Sequence, residues 1–181
     1  MSLIHICPIG LKIEFSVRSQ NDPNDCRVMQ TILNSYFPND IYGEVLFEVA
    51  TIQPNRTFIE KILLLHEEYN RKDESKMRTY RMSRHYYDLY RINKAYSNTL
   101  TNVLFIEDII EHRKFYSRLR HFDYNSLCVG QIAIIPSETI LMKLKSDYDE
   151  MAKEMMYGDV PTFAEVVNTV KIIQDAFNQK S

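Results

Sequence analysis

The chain has no tryptophan, and its 181 residues include only 4 glycines, 6 prolines and 3 cysteines. Scarce glycine and proline leave few places for tight turns, so a mostly helical chain is expected. Cys7, Cys26 and Cys128 are odd in number and lack Cys-x-x-Cys spacing. This argues against a disulfide framework or zinc site and for reduced thiols in a cytosol. No run approaches the roughly 20 apolar residues of a membrane-spanning helix, and the N-terminus shows no secretory-signal pattern. A strong charge of one sign is also missing. With a net charge of −2, any contact with nucleic acid must come from a local patch. None of Gly10, Gly43, Gly130 and Gly158 is followed by serine, and no Asp-x-Asp lies in the strand-like region at the front.

What is present is ordinary globular material, 45% hydrophobic and 25% charged, enough for one core. Residues 11–18 alternate apolar and polar, the period of a half-buried strand whose polar face carries Glu14. Residues 21–25 read as a turn and helix cap. Val28, Ile32, Leu33 and Tyr36 then follow at helical spacing as far as Pro38. Val45–Ile52 reads as a second strand, buried on both sides for much of its length. After Pro54 the texture is helical, and Thr57 with Glu60 forms a capping-box pattern. Residues 70–82 form a charged, mobile loop, and Ser83 is placed to cap the next helix, 84–92. Further helices are expected near 100–119, 138–157 and 162–177, with 130–136 a short strand or a buried connector. The expected fold class is therefore α+β: short N-terminal strands in residues 1–55, then a mostly α-helical bundle in 56–181.

Several residues could carry chemistry. Lys61 lies early in an apolar helix, where a buried ammonium needs a partner or an anion; equally, its stem could pack while its head reaches water. Arg84, Asp88 and Arg91 stand at i, i+4 and i+7 on one helix face. That places Asp88 between two guanidiniums, as an aimed carboxylate or as a surface ion-pair ladder. From Arg71 to Lys94 the chain is at its most basic: Arg71, Lys72, Lys76, Arg78, Arg81, Arg84, Arg91 and Lys94 are interleaved with Tyr80, Tyr86, Tyr87 and Tyr90. Cations beside flat rings suit single-stranded RNA, and a solvated face with inward tyrosines suits the pattern as well. His66 and His85 lack metal-ligand spacing, and ligation by histidine is rejected.

The residues 55–66, NRTFIEKILLLH, resemble the ERTxxEKxxxLH motif of the AbiEii-type nucleotidyltransferases. Arg84-His85-Tyr86-Tyr87-Asp88-Leu89 resembles their RHxxDL motif, and Leu144–Met151 with Gly158–Phe163 resembles their last two helices. The family is a toxin family of toxin–antitoxin pairs, similar to polymerase-β-like nucleotidyltransferases. The resemblance implies a nucleoside triphosphate and Mg2+ as cofactors. It implies Lys61 and Asp88 as catalytic residues; Lys61, Arg56, Arg84 and His85 as nucleotide-binding residues; and Glu60 and His66 as supports. Glu14 falls where a metal-binding strand carboxylate could lie. The family's Gly-Ser…Asp-x-Asp motif is not found, so the chain is expected to be a C-terminal part, active only when a missing catalytic segment complements it. Implied partners are an antitoxin protein, tRNA or other RNA, and a second copy joined through an exposed sheet edge. The alternative is a non-catalytic RNA- or protein-binding helical module.

Overall fold

In a computed structural model, residues 23–31, 34, 36, 46–96, 103–117, 119 and 121–179 are described. The chain divides into two compact units, Met1–Gln53 and Pro54–Ser181. The strand expected at 11–18, and Glu14 with it, lies outside the described residues.

In the first unit β1 (Asn24–Met29) pairs antiparallel with β2 (Phe47–Ile52), Asn24 opposite Ile52 and Met29 opposite Phe47. Val28 therefore sits in a strand, not at the start of a helix, although Asn34 and Tyr36 beyond it are helical. The spacing Val28, Ile32, Leu33 satisfies a helix locally. The ladder to a partner about twenty residues away satisfies the same backbone groups through contacts that local spacing does not encode. Asp25, expected in a turn, accepts from Gln53 Nε2 at 2.9 Å and from Arg27 at 3.0 Å. β2 is not buried on both sides: Phe47 and Val49 are exposed, and among the described residues β1 is its only hydrogen-bonded neighbour.

The second unit is a helical bundle. α1 (Pro54–Tyr69) begins with proline at its first position, where the missing N–H is no loss. It thus starts three residues before the Thr57 cap read from the sequence, and Glu60 accepts from Arg56 Nε at 2.9 Å across one turn. α2 (Ser83–Ala95) is the central helix and packs on α1, α4 (Glu138–Met155) and α5 (Phe163–Asn178); α3 (Val103–Tyr116) packs on α1. The core between them holds Phe58, Ile62, Leu65, Tyr86, Leu89, Leu144, Val166 and Phe177. Each such side chain contributes roughly 1.5–3 kcal/mol on burial. Thr162 and Glu165 form a reciprocal capping box at the start of α5. Gly158 turns the chain between α4 and α5 at φ +75°, a conformation that side-chain-bearing residues rarely adopt.

Residues 130–136 are a buried connector, not a strand. Ile132 and Ile134 are buried, so their backbone groups need partners, and side chains supply them. Asn178 accepts from Ile132 N–H and donates to Ile132 O, both at 2.8 Å. Gln174 accepts from Ile134 N–H at 2.7 Å, and the Tyr86 hydroxyl donates to Ile134 O at 2.6 Å.

The charged loop 70–82 is tied to the bundle. Buried Glu68 accepts from Arg71, from Arg78 Nε and from Arg78 N–H, at 2.8, 2.8 and 2.7 Å. Burial would raise the Glu68 pKa, but these donors hold it below the usual glutamate value. Ser83 does not cap α2 with its own side chain. Asp147, reaching across from α4, accepts from Arg81 N–H at 2.5 Å, Ser83 N–H at 3.0 Å and Ser83 Oγ at 2.5 Å.

Candidate functional site

α1 and α2 pack so that Lys61 and the Arg84–Asp88 turn face each other. Lys61 Nζ lies 2.7 Å from Asp88 Oδ2 and 3.4 Å from His85 Nδ1. The lysine side chain is 21% exposed and the aspartate 40%, so the ammonium sits at a rim, neither sealed in the core nor waving in water. The sequence allowed a buried or a reaching lysine; the structure shows a paired one. Its ammonium has three donors, and Asp88 and His85 occupy two directions.

His85 is buried. Burial first, then the charges of Lys61 and Arg84, push its pKa down to about 4, with Asp88 opposing. The ring is therefore neutral at physiological pH, and Nδ1 can accept from Lys61, which leaves the proton on Nε2. This arrangement presents a fixed cation backed by a carboxylate and a neutral imidazole. It can hold a phosphoryl oxygen; it cannot by itself assemble a metal site.

The other expected residues divide. Asp88 takes its charge partner from Lys61 on α1, because α2 turns that face toward α1. The anticipated Arg84–Asp88–Arg91 ladder gives way to this pair: Arg84 is exposed, and the Arg91 guanidinium lies 5.8 Å over the Tyr87 ring. Arg56 is buried and bonded to Glu60, so Glu60 supports Arg56 and not Lys61. His66 belongs to the connector: Ala133 N–H donates to its Nδ1 at 2.9 Å, and its ring meets Phe122 edge-on at 5.4 Å. Burial pushes its pKa down against an opposing Ala133 backbone contact.

Of the basic stretch, Arg71 and Arg78 are held on Glu68, and Lys76 pairs with Asp73 at 3.1 Å. Lys72 is exposed, and Arg81 is fixed through its backbone in the left-handed region, at φ 56°. Tyr86 is fully buried, and Tyr87 meets Tyr148 at 6.5 Å between ring centres. Tyr80 is the exposed member of the expected set. Sequence reasoning missed Asp147, which fixes the start of the helix that carries His85 and Asp88. It also missed Glu67, which accepts from Arg113 at 2.7 and 2.8 Å. No local signal marks either, since their partners lie 64 and 46 residues away.

Among the described residues, two of the grooves that open on the bundle are lined by neither Lys61 nor Asp88. One lies between residues 91–96 and 157–159, the other between residues 80–84 and α4. The Lys61–Asp88 pair is partly exposed. Among the described residues no group of three or more His, Cys, Asp or Glu could hold a metal ion, and the Asp88 carboxylate is engaged by Lys61. These residues do not fit a two-metal centre, which needs several convergent carboxylates. Among the described residues no helix is long and apolar enough to cross a membrane.

No curated protein and no solved structure matches the chain. Residues 8–169 match the sequence family described as Nucleotidyl transferase AbiEii toxin, Type IV TA system. This span takes in both central motifs, on α1 and α2, all of α4 and the first turns of α5. The chain belongs to the AbiEii nucleotidyltransferase toxin family of type IV toxin–antitoxin systems.

Proposed function

We propose that the Lys61–Asp88–His85 cluster is the phosphate-holding part of a nucleotidyltransferase site, with a nucleoside triphosphate as its ligand. The observation that carries this reading is the 2.7 Å Lys61–Asp88 pair beside a neutral His85. Asp88 and His85 fix the ammonium in place, and its remaining donor is directed to a phosphate oxygen. Arg84, exposed one turn before Asp88, adds positive charge for the same anion. Transfer to an acceptor requires carboxylates from outside the described residues, so the contribution of the described residues is binding and orientation. An antitoxin protein is the partner implied by the family.

The experiment is a titration of the four nucleoside triphosphates, with magnesium, into the chain and into Lys61→Ala. A charge-assisted hydrogen bond contributes about 1.5–3 kcal/mol, so the variant should bind roughly 10- to 150-fold more weakly. Equal binding by both proteins, or none by either, would remove the reading and leave a non-catalytic binding module as the function.

A further inference from the structure

In the basic stretch 71–81 three cations are engaged by acids: Arg71 and Arg78 pair with Glu68 and Lys76 with Asp73, while the tyrosines that follow turn inward, apart from Tyr80. Accessible cations and accessible rings come together at the C-terminal end of the same basic stretch, at the end of α2. There an open groove of about 680 Å³ is lined by Arg91, Ile92, Lys94, Tyr96, Tyr157 and Asp159, among others. Tyr157 is 88% exposed and Tyr96 51%, a large aromatic area to leave in water without a ligand.

The two cations are set rather than loose. The Arg91 guanidinium lies 5.8 Å over the Tyr87 ring and the Lys94 ammonium 5.8 Å over the Tyr90 ring, each about one turn back along the helix, and both residues line the groove. Glu165 is within electrostatic reach of Lys94, but its carboxylate is bonded to Thr162 in the cap of α5. Asp159 adds an acceptor among the cations. Flat rings, two cations and one acceptor match a base, its phosphates and a ribose hydroxyl or base amino group. A duplex would bury its base faces from the same tyrosines.

The geometry points to a binding groove for single-stranded nucleic acid between the C-terminal end of α2 and the Tyr157–Asp159 turn, with Tyr157 and Tyr96 stacking on bases and Arg91 and Lys94 holding phosphates. Arg91 and Ile92 stand three and four residues beyond Asp88, on the same helix face. The groove thus begins about 5 Å along the axis from the Lys61–Asp88 pair. A strand lying in it is led toward that pair. As a surface that delivers an acceptor strand the groove rests on the triphosphate-site reading; as a binding surface it does not.

The test is fluorescence anisotropy of a labelled oligouridylate strand at several salt concentrations, with the same-length duplex as competitor. Tyr157→Ala should weaken binding roughly fivefold to a hundredfold, while Tyr157→Phe keeps it. Its exposure means that neither variant threatens the fold. Arg91→Gln combined with Lys94→Gln should lower the slope of log K against log salt by about 1.4, or about 0.7 for each phosphate contact. No binding by the intact chain, an unchanged affinity in Tyr157→Ala, or a duplex that competes as well as the strand would each overturn the groove. Triphosphate titration separates the two proposals. Loss of the strand in Tyr157→Ala, with triphosphate binding absent or insensitive to Lys61→Ala, keeps the groove and removes the site beside it.

Discussion

Removing one carboxylate on α4 should loosen a helix that begins 64 residues earlier in the sequence. Asp147 takes three hydrogen bonds, from Arg81 N–H, Ser83 N–H and Ser83 Oγ, at 2.5–3.0 Å. It does the work of an N-cap from outside the helix, and its charge meets the positive end of the α2 dipole. It also holds Arg81 at φ 56°, a conformation with a cost of order 1 kcal/mol for a residue with a side chain. Asp147→Ala strands two backbone donors and releases that strained turn. Cap loss in general costs about 0.5–2 kcal/mol, and hydrogen bonds to a charged acceptor about 1.5–3. The three donors share one half-exposed group, so their costs do not add, and about 2–3 kcal/mol is expected. For a unit of this size that is roughly a 6–15 °C fall in melting temperature. Helical circular dichroism during thermal and urea unfolding reads it, since the second unit carries the five long helices described. Ser83→Ala removes a single one of the three donors and should cost less than half as much. In the double variant the Ser83 change should add almost nothing. A loss under about 0.5 kcal/mol for Asp147→Ala, within the range of a plain surface substitution, would refute the capping argument.

Three further outcomes follow from the same structure. The folded His85 pKa of about 4 lies below its unfolded value of 6.5, so between those pH values the unfolded chain takes up a proton that the folded chain refuses. Stability should be full above pH 6.5 and fall by about 2–3 kcal/mol as pH drops toward 4; urea midpoints of the wild type and His85→Gln at pH 7 and pH 5 should differ less in the variant. Glu68→Gln leaves Arg71 and Arg78 without their buried counter-charge, a loss of about 3–5 kcal/mol for a fully buried pair and less where, as here, Arg78 is exposed; faster tryptic cleavage between residues 71 and 81 should report it, and an unchanged digestion rate would contradict it. The exposed Val28, Phe47 and Val49 on the β1–β2 ribbon should drive self-association; light scattering should show a species larger than the monomer that Phe47→Lys reduces, and a monodisperse monomer would count against it.

The parts of the fold that were legible in the sequence are those fixed by short-range physics. α4 and α5 follow from helical spacing broken by Gly158 and Pro161, and α1 follows from the apolar run after Pro54. The start of α1 was misread because Thr57 and Glu60 imitate a capping box, whereas Pro54 and an Arg56–Glu60 pair begin the helix. β1 was misread because Val28 fits a helical pattern, and the ladder to Phe47–Ile52 is non-local. The same distinction divides the site. Lys61 and Asp88 were nominated by motif resemblance; periodicity alone left each of them open between a bland and a chemical role. That they touch is a tertiary fact, set by the packing of α1 on α2. Asp147, Glu67 and Glu68 act on partners far along the chain or in the loop, and nothing in their neighbourhoods distinguishes them from solvated charges.

The most direct measurement varies the ligand and the protein together: affinities of the nucleoside mono-, di- and triphosphate for the wild type and for Lys61→Ala, under matched magnesium. If Lys61 holds the phosphates, the wild type should gain affinity with each added phosphate, and Lys61→Ala should lose most of that gain while the monophosphate binds both proteins alike. Parallel affinity series in the two proteins would show that Lys61 does not meet the phosphates, and would reduce the Lys61–Asp88 pair to a structural ion pair.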